Sequence, residues 1–216
     1  MTKTMTESNK EPDAGSWDND YSRRGRVWGG AVHNLPPLGA GIRVLELGCG
    51  NGKTFAALAG KGCEVVGVDF SSSAVILCRS QVKVPVRGNI AIADICHLPF
   101  SDASFDAVVA FHVIGHMPAK ARIVCAKEAV RVLKNKGVLY FSEFSREDFR
   151  AGTGTETEPG TFERKNGIAT HYFSEEEVQT LFSELKTSEC FTRRWTMTVR
   201  GKPLPRAEIT ATFVKF

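Results

Sequence analysis

An α/β fold with a doubly wound, mostly parallel sheet is what this sequence predicts, and three observations carry that expectation. The first is the stretch Val44-Leu45-Glu46-Leu47-Gly48-Cys49-Gly50-Asn51-Gly52, an apolar run that closes in a loop with glycine at every second position. The second is recurrence. Further apolar runs at 65–68 and 90–93 end at Asp69 and Asp94, a fourth follows at 105–111, and helix-forming segments lie between them. The third is at the C-terminus, where 188–200 and 206–216 alternate around Gly201-Lys202-Pro203 and read as a hairpin. Strands that alternate with helices pair in parallel through right-handed crossovers.

Residues 1–16 are polar and predict a disordered tail, with the domain drawn over 17–216. Over 17–40 lies an N-terminal cover rich in aromatic and basic residues at its start, with Trp17, Tyr21, Arg24 and Trp28, before Pro36-Pro37 leads into the first strand. At the end of that strand the glycines leave bare backbone that a ligand can approach closely. Lys53 to Gly60 reads as a short helix, and Ser71 or Ser72 caps another through about Ser80. Pro118 suits the first turn of a helix to about Leu133, with Ile123, Val124, Val130 and Leu133 near one face. Val138–Phe144 is the fifth strand. Over 145–172 periodicity disappears, and Gly152 to Gly160 predicts a long loop of the kind that carries lids or substrate contacts. Order returns at the capping box Ser174-Glu175-Glu176-Glu177, which opens a helix to about Lys186.

Composition narrows the function by exclusion. A chain of 216 residues predicts one domain. It has no apolar run of membrane-spanning length and no signal-peptide core at its start, so a cytoplasmic protein is expected. The six cysteines form no C-x-x-C, which predicts free buried thiols rather than zinc or disulfides. His112 and His116 stand four apart, but no glutamate follows His112 as H-E-x-x-H requires, and no metal site is expected. A net charge of +4 is far from a committed nucleic-acid binder and names no partner.

The glycine loop itself is informative in its spacing. In a dinucleotide fingerprint, G-x-G-x-x-G/A, the third small residue would fall on Lys53, which turns the reading away from NAD. Asp69, ending the second strand, is placed to accept hydrogen bonds from both hydroxyls of a ribose.

Taken in order, the glycine loop, Val65-Val66-Gly67-Val68-Asp69, Asp94 to Phe100, Ser104 to His112 and Arg131 to Gly137 resemble the class I S-adenosylmethionine-dependent methyltransferases. Within that class the chain is most similar to the type 11 methyltransferase domain, whose pattern is met from Glu46 to Gly137, roughly 100 of 216 residues. The resemblance implies a Rossmann-like, seven-stranded sheet with the C-terminal pair as its antiparallel insertion, and S-adenosylmethionine as cofactor. It implies that Glu46 orders the loop and helps hold the methionine ammonium, with the backbone of Gly48, Cys49, Gly50 and Asn51 beside the methionine. Asp69 would take the ribose, Phe70 the adenine face, Asp94 the adenine amino group, Ile95 N–H the ring, and Phe111 the methionine end. In related enzymes an N-terminal helix covers the cofactor, which brings in Tyr21 and Trp28. His116, just beyond strand four where the family lines its acceptor pocket, is a candidate general base, with His112 and His171 beside it. Leu98, Phe100 and Phe105 are expected in the core.

Strand four continues as Phe111-His112-Val113-Ile114 and lacks the N/D-P-P-Y/F signature, which argues against planar exocyclic amino nitrogens as acceptors. A small-molecule acceptor leads. A tRNA or protein acceptor with a small activating partner is the alternative, for which Arg193, Arg194, Lys202 and Arg206 would form a basic edge. A non-catalytic cofactor-binding regulator is the third. A contiguous basic face beside the site favours RNA, and scattered or neutralised charge favours a small acceptor.

Overall fold

The computed structural model describes residues 14–25, 32, 35–82 and 88–216. Five strands, β1 (Arg43–Leu47), β2 (Glu64–Asp69), β3 (Gly88–Ile92), β4 (Phe105–Phe111) and β5 (Leu133–Phe144), pair in parallel in the order β3-β2-β1-β4-β5. Three short strands follow, β6 (Thr155–Glu158), β7 (Thr161–Glu163) and β8 (Ala169–His171), in a separate antiparallel sheet. The hairpin β9 (Lys186–Val199) and β10 (Lys202–Val214) completes the main sheet, β10 antiparallel to β5. The seven-stranded sheet with its antiparallel insertion is therefore as the sequence predicts.

Both faces of the sheet are covered, and the strand alternation shows how. Leu45 and Leu47 face one core with Val66, Val68, Val108 and Ala110, while Val44 faces the other with Val65, Ala107 and Val109. Helices α2 (Lys53–Gly60) and α3 (Ser72–Gln81) cover the second face through Phe55, Leu58 and Cys78. Helices α4 (Ala119–Val132) and α5 (Glu175–Leu181) cover the first through Cys125, Ala126, Ala129, Val130 and Val178. Because β1 lies between β2 and β4, the chain winds away from it in both directions. The glycine loop thus opens at the switch point, where open α/β sheets bind their ligands. Leu98 and Phe105 are buried in the core and Phe100 packs against it.

Several local expectations differ. Helix α4 does not bury Ile123 and Val124, which are 53% and 41% exposed. Its inward stripe is Arg122, Cys125, Ala126, Ala129 and Val130, at helical spacing, and its small residues let the helix lie close to the sheet. The stretch expected to be a long loop carries β6, β7 and β8, strands too short to print a period in the sequence. Strand β5 starts at Leu133, before Val138, and α5 ends at Leu181 because β9 has begun by Lys186. Helix α1 (Ala14–Arg24) begins inside the predicted tail, the rest of which lies outside the described residues. Among the described residues no helix is long and apolar enough to cross a membrane.

Candidate active site

The glycine loop is held by a carboxylate. Gly50 N–H donates to Asp69 Oδ2 at 2.9 Å and Ser71 N–H donates to Oδ1 at 3.0 Å. Burial pushes the Asp69 carboxyl up, while backbone N–H groups of Ser71, Gly50 and Phe70 pull the other way. Gly50 has φ +50, and a Cβ on it would stand 2.6 Å from Tyr21 Oη. At Gly48, φ +65, a Cβ would meet Val113 Cγ2 at 2.5 Å. No L side chain suits either place. Cys49 turns its thiol into the core toward Cys78, so only its backbone serves the loop, where Asn51 is also buried.

Glu46 is 5% exposed, and among the described residues its buried Oε2 has no hydrogen-bond partner. Burial pushes its carboxyl well above the usual range. An unmet buried carboxyl oxygen beside bare backbone fits a bound cation such as an ammonium group. Asp94 stands at the mouth of the same crevice, accepting from Cys96 N–H at 2.8 Å and paired with His97 Nδ1 at 2.9 Å. Burial works against its ionisation, but His97 and the Cys96 N–H hold its carboxyl below the ordinary value. Ile95 is buried beside it, and Phe70 and Phe111 are half-buried at the ends of β2 and β4.

Helix α1 lies across this crevice. Tyr21 is buried over Gly50, and Trp17 stacks on it with ring centroids 5.9 Å apart. Asp18 fastens the helix: its Oδ1 accepts from Ser73 N at 2.9 Å, Ser71 Oγ at 2.8 Å and Ser72 Oγ at 3.2 Å. It thereby adds a second cap to α3, which Ser71 caps through Ala74 N–H. Asp18 was not foreseen. Its only signal is the serine triplet at 71–73, which leaves open donors at a helix start. Trp28 lies outside the described residues.

Beyond β4 the site is built from side chains. His112 sits in left-handed backbone, φ +52, with its ring 4.5 Å from that of Phe144. Its buried Nδ1 is 3.9 Å from Glu143 Oε2, and its Nε2 is 3.5 Å from Glu208 Oε1. Glu143 is fully buried. Its Oε1 accepts from Gly115 N–H at 2.8 Å, its Oε2 is unmet, and burial pushes its carboxyl up to about 7. For Glu208 burial is outweighed by the His112 ring, which holds its carboxyl below the ordinary range. Neither glutamate was foreseen, although a lone acid inside the apolar run 138–144 is the kind of anomaly that marks one.

The other two histidines are engaged differently. His116 donates through Nδ1 to Ala169 O at 2.8 Å and meets Trp17 edge-on at 4.7 Å. Burial pushes its pKa down to about 4, so the ring is neutral near pH 7. His171 is 1% exposed with both nitrogens in use, Nδ1 with Thr161 Oγ1 at 2.8 Å and Nε2 with Glu177 Oε1 at 2.6 Å. It pins β8 to α5, and it takes the Glu177 carboxylate that a full capping box would turn back on Ser174. Glu158 of β6 likewise pins the small sheet to α4, accepting from Ala119 N and Arg122 Nη2. Two of the four residues of the expected basic edge are paired: Arg194 is bidentate to Glu147, and Arg206 is bound to Asp148 at 2.6 Å.

Residues 45–141 match the methyltransferase domain family. A protein of Mycobacterium tuberculosis named a probable S-adenosylmethionine-dependent methyltransferase is 35% identical over 156 residues, covering 72% of this chain and 54% of that protein. The 2-methyl-6-phytyl-1,4-hydroquinone methyltransferase of Synechocystis is 37% identical over 132 residues, 61% of this chain and 40% of that protein. The chain thus spans about half the length of the curated relatives it matches. Among solved structures, the methyltransferase bound to the Haloferax volcanii Trm112 methyltransferase activator superposes with a TM-score of 0.71 at 20% identity. That match covers 96% of this chain and 99% of that one, and is a likeness of fold.

Proposed function

We propose that this chain, which belongs to the class I S-adenosylmethionine-dependent methyltransferases, transfers a methyl group to a small-molecule acceptor by in-line substitution. The observation that carries this reading is that two kinds of group meet beyond the ends of β1 and β4, where Val113 packs on Gly48: bare backbone held by Asp69, and His112 flanked by Glu143 and Glu208. Bound S-adenosylmethionine supplies an electrophilic methyl group; the protein supplies alignment, exclusion of water and a destination for a proton.

Glu46 Oε2 would hold the methionine ammonium, with the backbone of 48–51 alongside and Phe111 closing that end. Asp69 would bind the ribose through lone pairs not used by Gly50 and Ser71. Phe70, Ile95 and Asp94 would bracket the adenine, and Tyr21 would cover the site from α1. For an acceptor that must lose a proton, His112 Nε2 is the base, since Nδ1 is buried toward Glu143 and the side chain is 34% exposed. The two glutamates then stabilise the imidazolium. His116, neutral and bonded to Ala169, lines the pocket, and His171 holds the wall formed by 145–172 in place. The six free cysteines fit a reducing cytoplasm.

Calorimetry should register S-adenosylmethionine and S-adenosylhomocysteine but neither NAD nor ATP. Labelled cofactor added with cell extract should put its methyl group into a small-molecule fraction. Transfer into a nuclease- or protease-sensitive fraction would instead support the second reading, a tRNA or protein acceptor with a small activating partner. The likeness to the Trm112-bound methyltransferase favours that reading, and the ion pairing of Arg194 and Arg206 weighs against it.

A further inference from the structure

We infer that Cys96 and Cys125 are a site of reversible oxidation, and that the disulfide they form loosens the turn at Asp94 and with it the grip on the cofactor's adenine. The consequence for the cofactor rests on the methyltransferase reading; the bond itself does not. The two sulfurs lie 3.0 Å apart, Cys96 in the turn after β3 and Cys125 on α4. A disulfide needs about 2.05 Å, so an approach of roughly 1 Å closes it. The pair is unequal in a way that suits the chemistry. Cys96 is 8% exposed and Cys125 is fully buried. The hydrogen bond between them holds the Cys96 thiol below the ordinary range and pushes the Cys125 thiol up. The Cys49 thiol, which faces Cys78, is instead pushed up by that contact and by burial, so it offers no thiolate. A peroxide therefore reacts at Cys96 first. The Cys96 thiolate displaces hydroxide from hydrogen peroxide and becomes a sulfenic acid, and the proton it gave up turns that hydroxide into water. The Cys125 sulfur then attacks the Cys96 sulfur, its own proton leaving with the second hydroxide as water. Both sulfurs are oxidised and one peroxide is reduced.

The chain around Cys96 is held at both ends. On the sheet side Ala93 N–H donates to Asp69 O at 3.0 Å. On the helix side Leu98 N–H donates to Glu128 Oε2 at 2.8 Å, and Leu98 O accepts from Arg131 Nη2 at 3.1 Å. Helix α4 is itself fixed by the burial of Cys125, Ala126 and Ala129 against the sheet. The turn 94–97 is therefore the part that gives when the sulfurs close. Two contacts hold the Asp94 carboxylate, Cys96 N–H on Oδ1 and His97 Nδ1 on Oδ2, and both come from the turn that moves. Drawing Cys96 toward α4 pulls its N–H off Asp94, so the oxidised protein presents the adenine contact less well than the reduced one.

The test uses full-length protein treated with a small excess of hydrogen peroxide, then alkylated and mapped by mass spectrometry without reduction. A cross-link between the peptides of Cys96 and Cys125, with the loss of two hydrogens, is expected. Calorimetry on the cross-linked protein should show S-adenosylhomocysteine binding weakened by about five-fold, the scale of one hydrogen bond, and restored by dithiothreitol. Cys125→Ala, which matches its small neighbours on α4, should lose both the cross-link and that weakening, and Cys125→Ser takes its place if the alanine variant is unstable. A sulfenic or sulfinic acid left on Cys96 without the cross-link, or a cross-link between other cysteines instead, would overturn the inference. So would unchanged affinity of the cross-linked protein, or a weakening that persists in Cys125→Ala. Failure of the reduced wild type to bind S-adenosylhomocysteine would instead sink the methyltransferase reading, whatever the mapping shows.

Discussion

The two walls of the crevice are built on opposite principles. On the side proposed for the cofactor, one short loop, 48–52, presents its backbone, and its shape is held by Asp69 only 19 residues on from Gly50. On the side proposed for the acceptor the groups come from distant elements: His112 after β4, Glu143 from β5 and Glu208 from β10. Backbone-built sites need glycine and a few fixed acids in one stretch of chain, so their function leaves a spaced pattern. Side-chain-built sites need only that distant strands end at the same height, and no local pattern records that. The carboxylates divide the same way. Asp69 is satisfied by N–H groups, whereas Glu143 keeps an unmet oxygen beside a histidine.

The largest effect expected is on the acceptor wall. His112→Asn should lower turnover by about 10²–10⁴, the usual worth of a general base, with S-adenosylhomocysteine affinity unchanged by calorimetry. Turnover within three-fold of wild type, on an acceptor that loses a proton, would move the base elsewhere and blur the division between the two walls.

Next is the pH dependence of folding. Burial raises the Glu143 carboxyl from 4.5 to about 7, so between those values the folded state keeps a proton that the unfolded chain has released. This contribution is full below pH 4.5 and lost as pH rises to 7, roughly 3 kcal/mol in all. His116 acts oppositely: burial lowers it from 6.5 to about 4, so stability is lost as pH falls through that interval. Glu46, also raised by burial, acts in the same direction as Glu143, so the readout is the difference between variant and wild type in urea unfolding. The stability of Glu143→Gln minus that of wild type should rise by roughly 3 kcal/mol between pH 4.5 and 7, and a pH-independent difference would contradict the environment described for Glu143.

On the cofactor wall, Asp69→Ala should weaken S-adenosylmethionine binding by roughly 1.5–3 kcal/mol through lost charge-assisted hydrogen bonds. Unchanged affinity in a folded variant would remove the assignment of that wall. The smallest effect belongs to the fastening of α1. Asp18→Ala should cost about 1 kcal/mol or less, the usual worth of a helix cap whose carboxylate is only half-buried. It should nonetheless speed amide exchange over 14–25, and added S-adenosylhomocysteine should restore protection there and around 48–52. The same experiment addresses 145–172. That stretch is tied to α4 through Glu158 and to α5 through His171, so it should exchange slowly with or without ligand. Fast exchange there, slowed by ligand, would make it a lid after all.

The sequence by itself determined the sheet, its winding and the glycine loop held by Asp69. Alternating apolar runs set which residues reach which face, and the positive-φ glycines with Asp69 are spaced by β-α-β geometry alone. It also determined the caps at Ser71 and Ser174, because a cap bonds an N–H three residues along the chain. Only the tertiary structure decided what depends on packing between distant segments. It turned Ile123 and Val124 outward, folded 155–171 into three strands, and tied His171 to Thr161 and Glu177. It set Glu143 and Glu208 beside His112, whose place at the end of β4 the motif already marked. Local spacing encodes what the chain does within one turn or one crossover. What meets across the top of a sheet is chosen by strand order, which no stretch of residues carries within itself.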